Sequence, residues 1–200
     1  MRTNKPLKGV FCVAPLACDL SRDGRSLGRD TLARCKKAFE HLCMGRSYYP
    51  HARVIVSAGF SPNRKTYPFQ EKTMARLMAE ELMSFGVKEN ELIIGNERWG
   101  SLGEIEEVWL QALHFATLHN LLDLDVRIVT SWYHSPRVRL IMWRIAHDVR
   151  SGVCRALQSS NKPPETYCLE YSTWSTSGSV THALWELVKT PITALKLLGL

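Results

Sequence analysis

The segment Thr130-Ser131-Trp132-Tyr133-His134-Ser135-Pro136-Arg137 gathers hydroxyls, a phenol, an imidazole and a guanidinium in one short stretch. The β-branched run Val126 to Thr130 reads as a strand leading straight into it, and Ser135-Pro136 reads as an N-cap with proline at the first helical position. His134 then sits at a helix N-terminus, where free N–H groups and aligned peptide dipoles favour anions by roughly 0.3 to 1 kcal/mol per charge. Such a setting lowers an imidazole's pKa and keeps it neutral, available as a base or a hydrogen-bond partner. Thr130, Ser131, Tyr133 and Arg137 supply groups that suit a phosphate or a carboxylate. The spacing fits a structural histidine beside an ordinary cap equally well.

A second group of candidates lies earlier in the chain. Ser57-Ala58-Gly59 follows a β-branched strand, and Gly59 would let the backbone approach a ligand closely, or simply make a tight turn. Glu71, three residues before Met74, is expected on the sheet-facing side of its helix, either polarising His134 or a ligand hydroxyl, or complementing the helix dipole. Glu97 lies just past a strand. Ser101 and Glu104 have the spacing of a capping box, which makes Glu104 a cap first and a site residue second. P-loop, H-E-x-x-H, G-x-S-x-G and G-x-G-x-x-G signatures are missing. The other histidines, His41, His51, His114, His119, His147 and His182, form no ligand cluster in sequence.

The elements that must position these residues alternate as βα units do. Strands are expected near Gly9 to Val13, Arg53 to Ser57, Glu91 to Ile94, Val126 to Thr130 and Thr166 to Leu169. Between them, apolar residues recur at helical spacing: Met74, Leu77, Met78, Leu82 and Phe85; Leu102, Ile105, Trp109, Ala112 and Ala116; Val138, Ile141, Met142 and Ile145. The pattern predicts an α/β, Rossmann-like open sheet, mostly parallel, of about five strands with helices on both faces and right-handed crossovers. Ligands of such sheets bind at the carboxyl ends of the strands, where the segments named above converge.

The first 171 residues read as this α/β domain, and 172–200 as an appendage. In it Ser172 to Ser179 reads as a Ser/Thr-rich loop, and Val180 to Leu198 as an apolar helix bent or broken at Pro191 that packs on the sheet or meets a partner or membrane surface.

At 200 residues, 45% hydrophobic and 22% charged, the chain suits one globular domain and excludes a disordered or collagen-like protein. A formal charge of +7 favours anionic partners. The basic residues are scattered without RNA-binding signatures, so a small anionic ligand is expected rather than nucleic acid. Six cysteines without a C-x-x-C pair read as reduced thiols of a cytoplasmic protein. Read as it stands, the N-terminal stretch is expected to carry neither a secretion signal nor a membrane span.

In order and type these segments resemble the YdcF, SanA and ElyC family over about Val10 to Leu169. The Thr-Ser-x-Tyr-His-x-x-Arg signature of that family is matched by Thr130, Ser131, Tyr133, His134 and Arg137. Asp23-Gly24 through Arg34 and Ala38 is similar to its polar stretch and Arg-bearing helix; Ser57-Ala58-Gly59 with Glu71 to its Ser-Gly-Gly and Glu; Gly86-Val87, Ile93 and Glu97 to its next block. The chain departs from the family at Ala14-Pro15, Ala58 and Trp99-Gly-Ser-Leu-Gly-Glu104, which marks a divergent member. The resemblance implies a Rossmann-like fold, a link to envelope or lipid-carrier metabolism, and S-adenosylmethionine as a proposed ligand. Many envelope members carry membrane helices, and their absence here implies a cytoplasmic form.

Two functions follow as expectations. One is an enzyme acting on a phosphate-bearing metabolite, nucleotide-like or polyprenyl-phosphate-like, with Ser57, Gly59 and Ser131 on the anion, His134 as acid or base oriented by Glu71 or Glu97, and Arg137 stabilising negative charge. The other is a non-catalytic module that binds a nucleotide or S-adenosylmethionine and signals through the C-terminal helix. Methyl transfer is disfavoured because Ala14-Pro15-Leu16-Ala17 lacks a glycine-rich turn. A divalent cation held by one carboxylate and the substrate would leave no sequence trace.

Overall fold

A computed structural model describes residues 9–61, 66–67, 69–98, 100–119, 121, 123–159, 169–176, 186, 189–195 and 197. Five strands form one parallel sheet in the order β3-β2-β1-β4-β5. They are β1 Gly9–Pro15, β2 His51–Val56, β3 Leu92–Ile94, β4 Asp123–Ser131 and β5 Leu169–Thr176. The helices between them are α1 Arg29–Tyr48, α2 Met74–Ser84, α3 Gly100–Leu118 and α4 Ser135–Ser159. This is the open α/β architecture that the alternation of strand and helix patterns predicts.

Chain direction across the sheet reverses at β1. The β1-α1-β2-α2-β3 half winds one way and β4-α4-β5 the other, so crossovers of one hand put the two helix pairs on opposite faces. The packing has that form. Phe11 and Val13 of β1 point into a core with Cys35, Ala38 and Leu42 of α1 and Ala75, Met78 and Leu82 of α2. Their neighbours Val10, Cys12 and Ala14 point the other way, onto Ile105, Trp109 and Ala112 of α3 and Val138, Ile141 and Met142 of α4. The apolar stripes are therefore sheet-packing faces, except that Leu102, expected to start the α3 stripe, is exposed.

The C-terminal quarter differs from its expected form. Ser172 to Thr176 is not loop but the greater part of β5, paired in register with Arg127 to Ser131, so a boundary after residue 171 would cut a strand. β5 is an edge strand, whose exposed face tolerates Ser and Thr, and these residues are β-compatible. Thr166 to Cys168 and Val180 to Trp185 lie outside the described residues. Residues 189–195 are helical, across Pro191. Among the described residues no helix is long and apolar enough to cross a membrane. Cys12 and Cys35 are buried thiols, whereas Cys18 and Cys43 are exposed.

On the α1 side of the sheet, His41 is fully buried and packs at a tilt against Trp174 of β5, with ring centroids 4.4 Å apart and planes 55° to each other. Neither ring nitrogen has a hydrogen-bond partner. Burial, then Arg127 and Lys37, lower its pKa from 6.5 to about 4. The folded chain therefore resists a proton that the unfolded chain accepts, and stability is lost as pH falls from 6.5 towards 4. At 1.36 kcal/mol per unit the loss is on the order of 3 kcal/mol. His41→Phe should keep the melting temperature at pH 7 and flatten its decline in acid; an equally steep decline would remove His41 as the cause.

Candidate functional site

The β1–α1 connection is organised around a buried charge. Arg34 of α1 is 0% exposed, and its guanidinium donates to the carbonyls of Leu16 (2.9 Å) and Ala17 (3.2 Å) just past β1. Its other edge donates to Ser131 Oγ, from Nη2 at 2.8 Å and Nε at 3.2 Å. The clamp ties together the ends of the two strands at which the sheet's winding reverses. Asp19 prepares it: its carboxylate accepts from the amides of Thr31 (2.8 Å) and Asp30 (3.3 Å), capping α1 from ten residues upstream. Gly28 stands at the cap position because a Cβ there would run into that carboxylate.

Tyr133 completes this layer. It is buried, donates from its hydroxyl to Asp30 Oδ2 at 2.9 Å, and lies 3.6 Å from Cys18 Sγ. Burial, the largest cause, pushes its pKa up. Thr130 is fully buried, with its hydroxyl unpartnered. Of the expected ligand-binding set, Thr130, Ser131 and Tyr133 are thus interior residues that fix the strand ends.

The same holds for the β2 end. Ser57 Oγ donates to the carbonyl of Asn96 at 2.8 Å, and Gly59 N–H donates to that of Arg98 at 3.2 Å. The carbonyls of Ala58 and Gly59 receive the first amides of α2, those of Ala75 and Met74. Ser57-Ala58-Gly59 therefore joins loops and caps a helix. Glu71 is exposed in the loop before α2, whose N-cap is Thr73, rather than on its sheet-facing side. Glu97 is exposed in the β3–α3 loop. Among the described residues no hydrogen bond or ion pair joins either to His134, so the expected partnership is corrected.

On the α3–α4 side, functional groups do converge. Gly100 opens α3 with φ +70°, a conformation that suits glycine, and Ser101 follows it. Glu107, 1% exposed, accepts from the Asn96 amide (2.9 Å), the Asn96 side chain (3.1 Å) and Gln111 (2.8 Å), and so fixes the loop that delivers Ser101. Ser101 Oγ lies 2.8 Å from His134 Nε2. Ser101 and Glu104 consequently do not form a capping box: one hydroxyl meets His134, and the Glu104 carboxyl accepts from the Ala17 amide at 3.0 Å. Trp99, the residue before the first of α3, lies outside the described residues.

Arg137, one turn along α4 from His134, places Nη2 against the same Nε2 and 3.4 Å from Ser101 Oγ. Two donors thus face Nε2, which assigns the ring proton to Nδ1. Nδ1 looks towards Glu186 at 3.8 Å. Glu186, 6% exposed, is the carboxylate at this ring, a role that the sequence pattern assigned to Glu71 or Glu97. Its stronger tie is to Arg137: Nη2 donates to Oε1 at 3.0 Å, and Nε stands 3.0 Å from Oε2. The second contact is an ion pair without hydrogen-bond alignment, leaving Arg137 Nε and Glu186 Oε2 buried and unsatisfied.

Two groups have displaced titrations. Burial, then Arg137, Arg34 and Lys189, lower His134 to about 2, so the ring is neutral in any ordinary buffer. Burial raises Glu104 to about 8 against the Ala17 amide and the two arginines, so its carboxyl holds a proton at neutral pH.

The turn after β1 has no amide to offer a cofactor. The N–H groups of Leu16, Ala17, Cys18 and Asp19 are taken by the Val129 carbonyl, Glu104 and, for the last two, the Thr31 hydroxyl. These residues do not fit the glycine-rich cradle through which such folds hold S-adenosylmethionine. Among the described residues no three His, Cys, Asp or Glu side chains are grouped to hold a metal ion. Comparison of the chain with family models, with curated proteins and with solved structures found no match in any of the three.

Arg34→Met removes the guanidinium donor from two backbone carbonyls and from the buried Ser131 hydroxyl, which should cost about 3 kcal/mol or more in urea unfolding. A loss below about 1 kcal/mol would mean the clamp is dispensable. Glu104→Gln should act oppositely at alkaline pH. The unfolded carboxyl ionises from pH 4.5 upward while the folded one keeps its proton to about 8, so wild-type stability falls as pH rises through that window. Glutamine keeps an acceptor for Ala17 and cannot ionise, so the variant's melting temperature should lose that decline.

Proposed function

We propose that the chain binds a phosphate-bearing small molecule beside α3 and α4 at the carboxyl edge of the sheet, and hydrolyses it or transfers a group from it. The observation that carries this reading is the contact of Ser101, His134 and Arg137, next to the reversal between β1 and β4 where open α/β sheets place their ligands. Arg137 offers a planar guanidinium fork suited to a phosphate. His134 presents an unprotonated Nε2 towards a hydroxyl, the geometry in which an imidazole takes a proton from an attacking oxygen. That oxygen is Ser101 Oγ or a water displacing it. As it bonds to phosphorus, the ester oxygen leaves with the P–O electron pair and recovers the proton from His134.

The block Thr130 to Arg137 also carries the resemblance to the YdcF, SanA and ElyC family, which supports a nucleotide-like or lipid-carrier-like phosphate and a role in envelope metabolism. A cytoplasmic setting is part of the same proposal. Ser131 and Tyr133 act within it by fixing the strand end rather than by touching the ligand, and Glu104 supplies a protonated carboxyl nearby.

One observation favours a second reading, a binding module without turnover. A ring held to about 2 is a poor proton acceptor. On this reading the same Arg137 binds the anion and His134 only shapes the pocket.

A thermal-shift screen of nucleotides, sugar phosphates and prenyl phosphates, with product analysis of each hit, separates the two. The enzyme reading expects a stabilising phosphate that is consumed by wild type, with turnover falling about 100-fold or more in His134→Gln while binding persists. Binding without consumption establishes the module. Stabilisation that survives Arg137→Ala undiminished would reject the site itself.

A further inference from the structure

Arg137 already holds an anion, and that anion belongs to the chain. Glu186, a helical residue of the C-terminal segment, brings its carboxylate to one edge of the guanidinium, with Oε1 3.0 Å from Nη2 and Oε2 3.0 Å from Nε, and both side chains are largely out of water. Among the described residues no other carboxylate lies within ion-pair distance of Arg137.

The fit is poor for a resident pair. A carboxylate that met the fork squarely would take two parallel hydrogen bonds. Here only Nη2 to Oε1 qualifies, while Nε and Oε2 face each other misaligned and have no alternative partner among the described residues. A buried donor and a buried acceptor left unsatisfied cost on the scale of the hydrogen bond they forgo. Nη2 is meanwhile drawn towards His134 Nε2 and Ser101 Oγ, which turns the fork away from the carboxylate.

We propose that Glu186 occupies the subsite for the ligand's phosphate, so that ligand and C-terminal segment compete for Arg137. This rests on the ligand-binding reading above and adds the occupant of the site and its release. A phosphate can accept from Nε and Nη2 together and can take Ser101 as a further donor, which the carboxylate does not do. Because binding and displacement are linked, the factor by which Glu186 weakens the ligand equals the factor by which the ligand loosens the segment. The device also selects for charge: a neutral ligand gains nothing at Arg137 that offsets the loss of the ion pair.

The test uses the full chain and pyrophosphate as the probe, with dissociation constants measured by calorimetry for wild type, Glu186→Gln, Glu186→Asp and Arg137→Ala. Competition expects Glu186→Gln to bind about tenfold or more tightly than wild type, within the usual range of coupling between sites. Glu186→Asp, which keeps the charge but retracts it by one methylene, should fall between and serves if the Gln variant folds poorly. Saturating pyrophosphate should also speed amide exchange in residues 189–195 of wild type. Equal affinities in wild type and both Glu186 variants, with Arg137→Ala abolishing binding, would overturn the competition and leave the ligand site standing. Binding indifferent to Arg137, or no binding by any variant, would overturn both.

Discussion

The arrangement of the carboxyl edge depends on a guanidinium that has no access to water. Arg34 is wholly buried, and a charge in that position must be surrounded by acceptors. It finds them in two carbonyls past β1 and in Ser131 at the end of β4, the two strands between which the sheet's winding reverses. This crevice is where a doubly wound sheet normally admits a ligand. On the α1 side it is filled by the protein's own cation, with Asp30, Tyr133 and the Asp19 cap packed around it. On the other side of the sheet, Ser101, His134 and Arg137 meet at the starts of α3 and α4.

The legible parts of the sequence were those with a period. The stripes of α2, α3 and α4 and the β-branched runs of β1, β2 and β4 repeat at the spacing of their element, and burial follows that spacing. β5 has no such signal. Its pattern Leu-Glu-Tyr-Ser-Thr-Trp-Ser-Thr is polar because an edge strand keeps one flank and part of a face in water, and composition alone makes it resemble a loop. The boundary error after residue 171 has the same origin.

The site was legible in part, for a different reason. His134, Arg137 and Ser101 lie at strand-to-helix junctions, and junctions can be found by caps and turns. Which groups meet across the sheet cannot be read locally. Ser101 and Glu104 have the spacing of a capping box, yet each side chain goes to a partner far away in sequence, His134 and Ala17. Glu71, expected on the sheet-facing side of its helix, and Glu97, just past a strand, both remain in water. The carboxylates that act are Glu107, three residues past Glu104 on the same helix, and Glu186, a single acid within an apolar tail. A buried acid in an otherwise apolar stripe carries a desolvation cost that only a partner removes, and that is the one sequence-level sign that Glu186 had an engagement elsewhere.

The electrostatics of this side of the sheet tie its two functional readings to a single quantity, the basicity of His134. Burial is the largest cause of its depression, and the arginines follow. Among the described residues, Arg137, Arg34 and Lys189 set positive charge around the ring against Glu186, since the Glu104 carboxyl keeps its proton at neutral pH. On either reading, a phosphate at Arg137 would bring more negative charge than the carboxylate it displaced, and would compete with the imidazole for Nη2. Both changes raise the affinity of Nε2 for a proton, the first by offsetting the guanidinium field and the second by freeing the lone pair. On the enzyme reading, a base that is silent in the unliganded chain would thereby be strengthened by the substrate's own charge. The extent of that rise decides between the functions: a ring brought near neutrality turns the ligand over, and a ring left near its resting value only holds it.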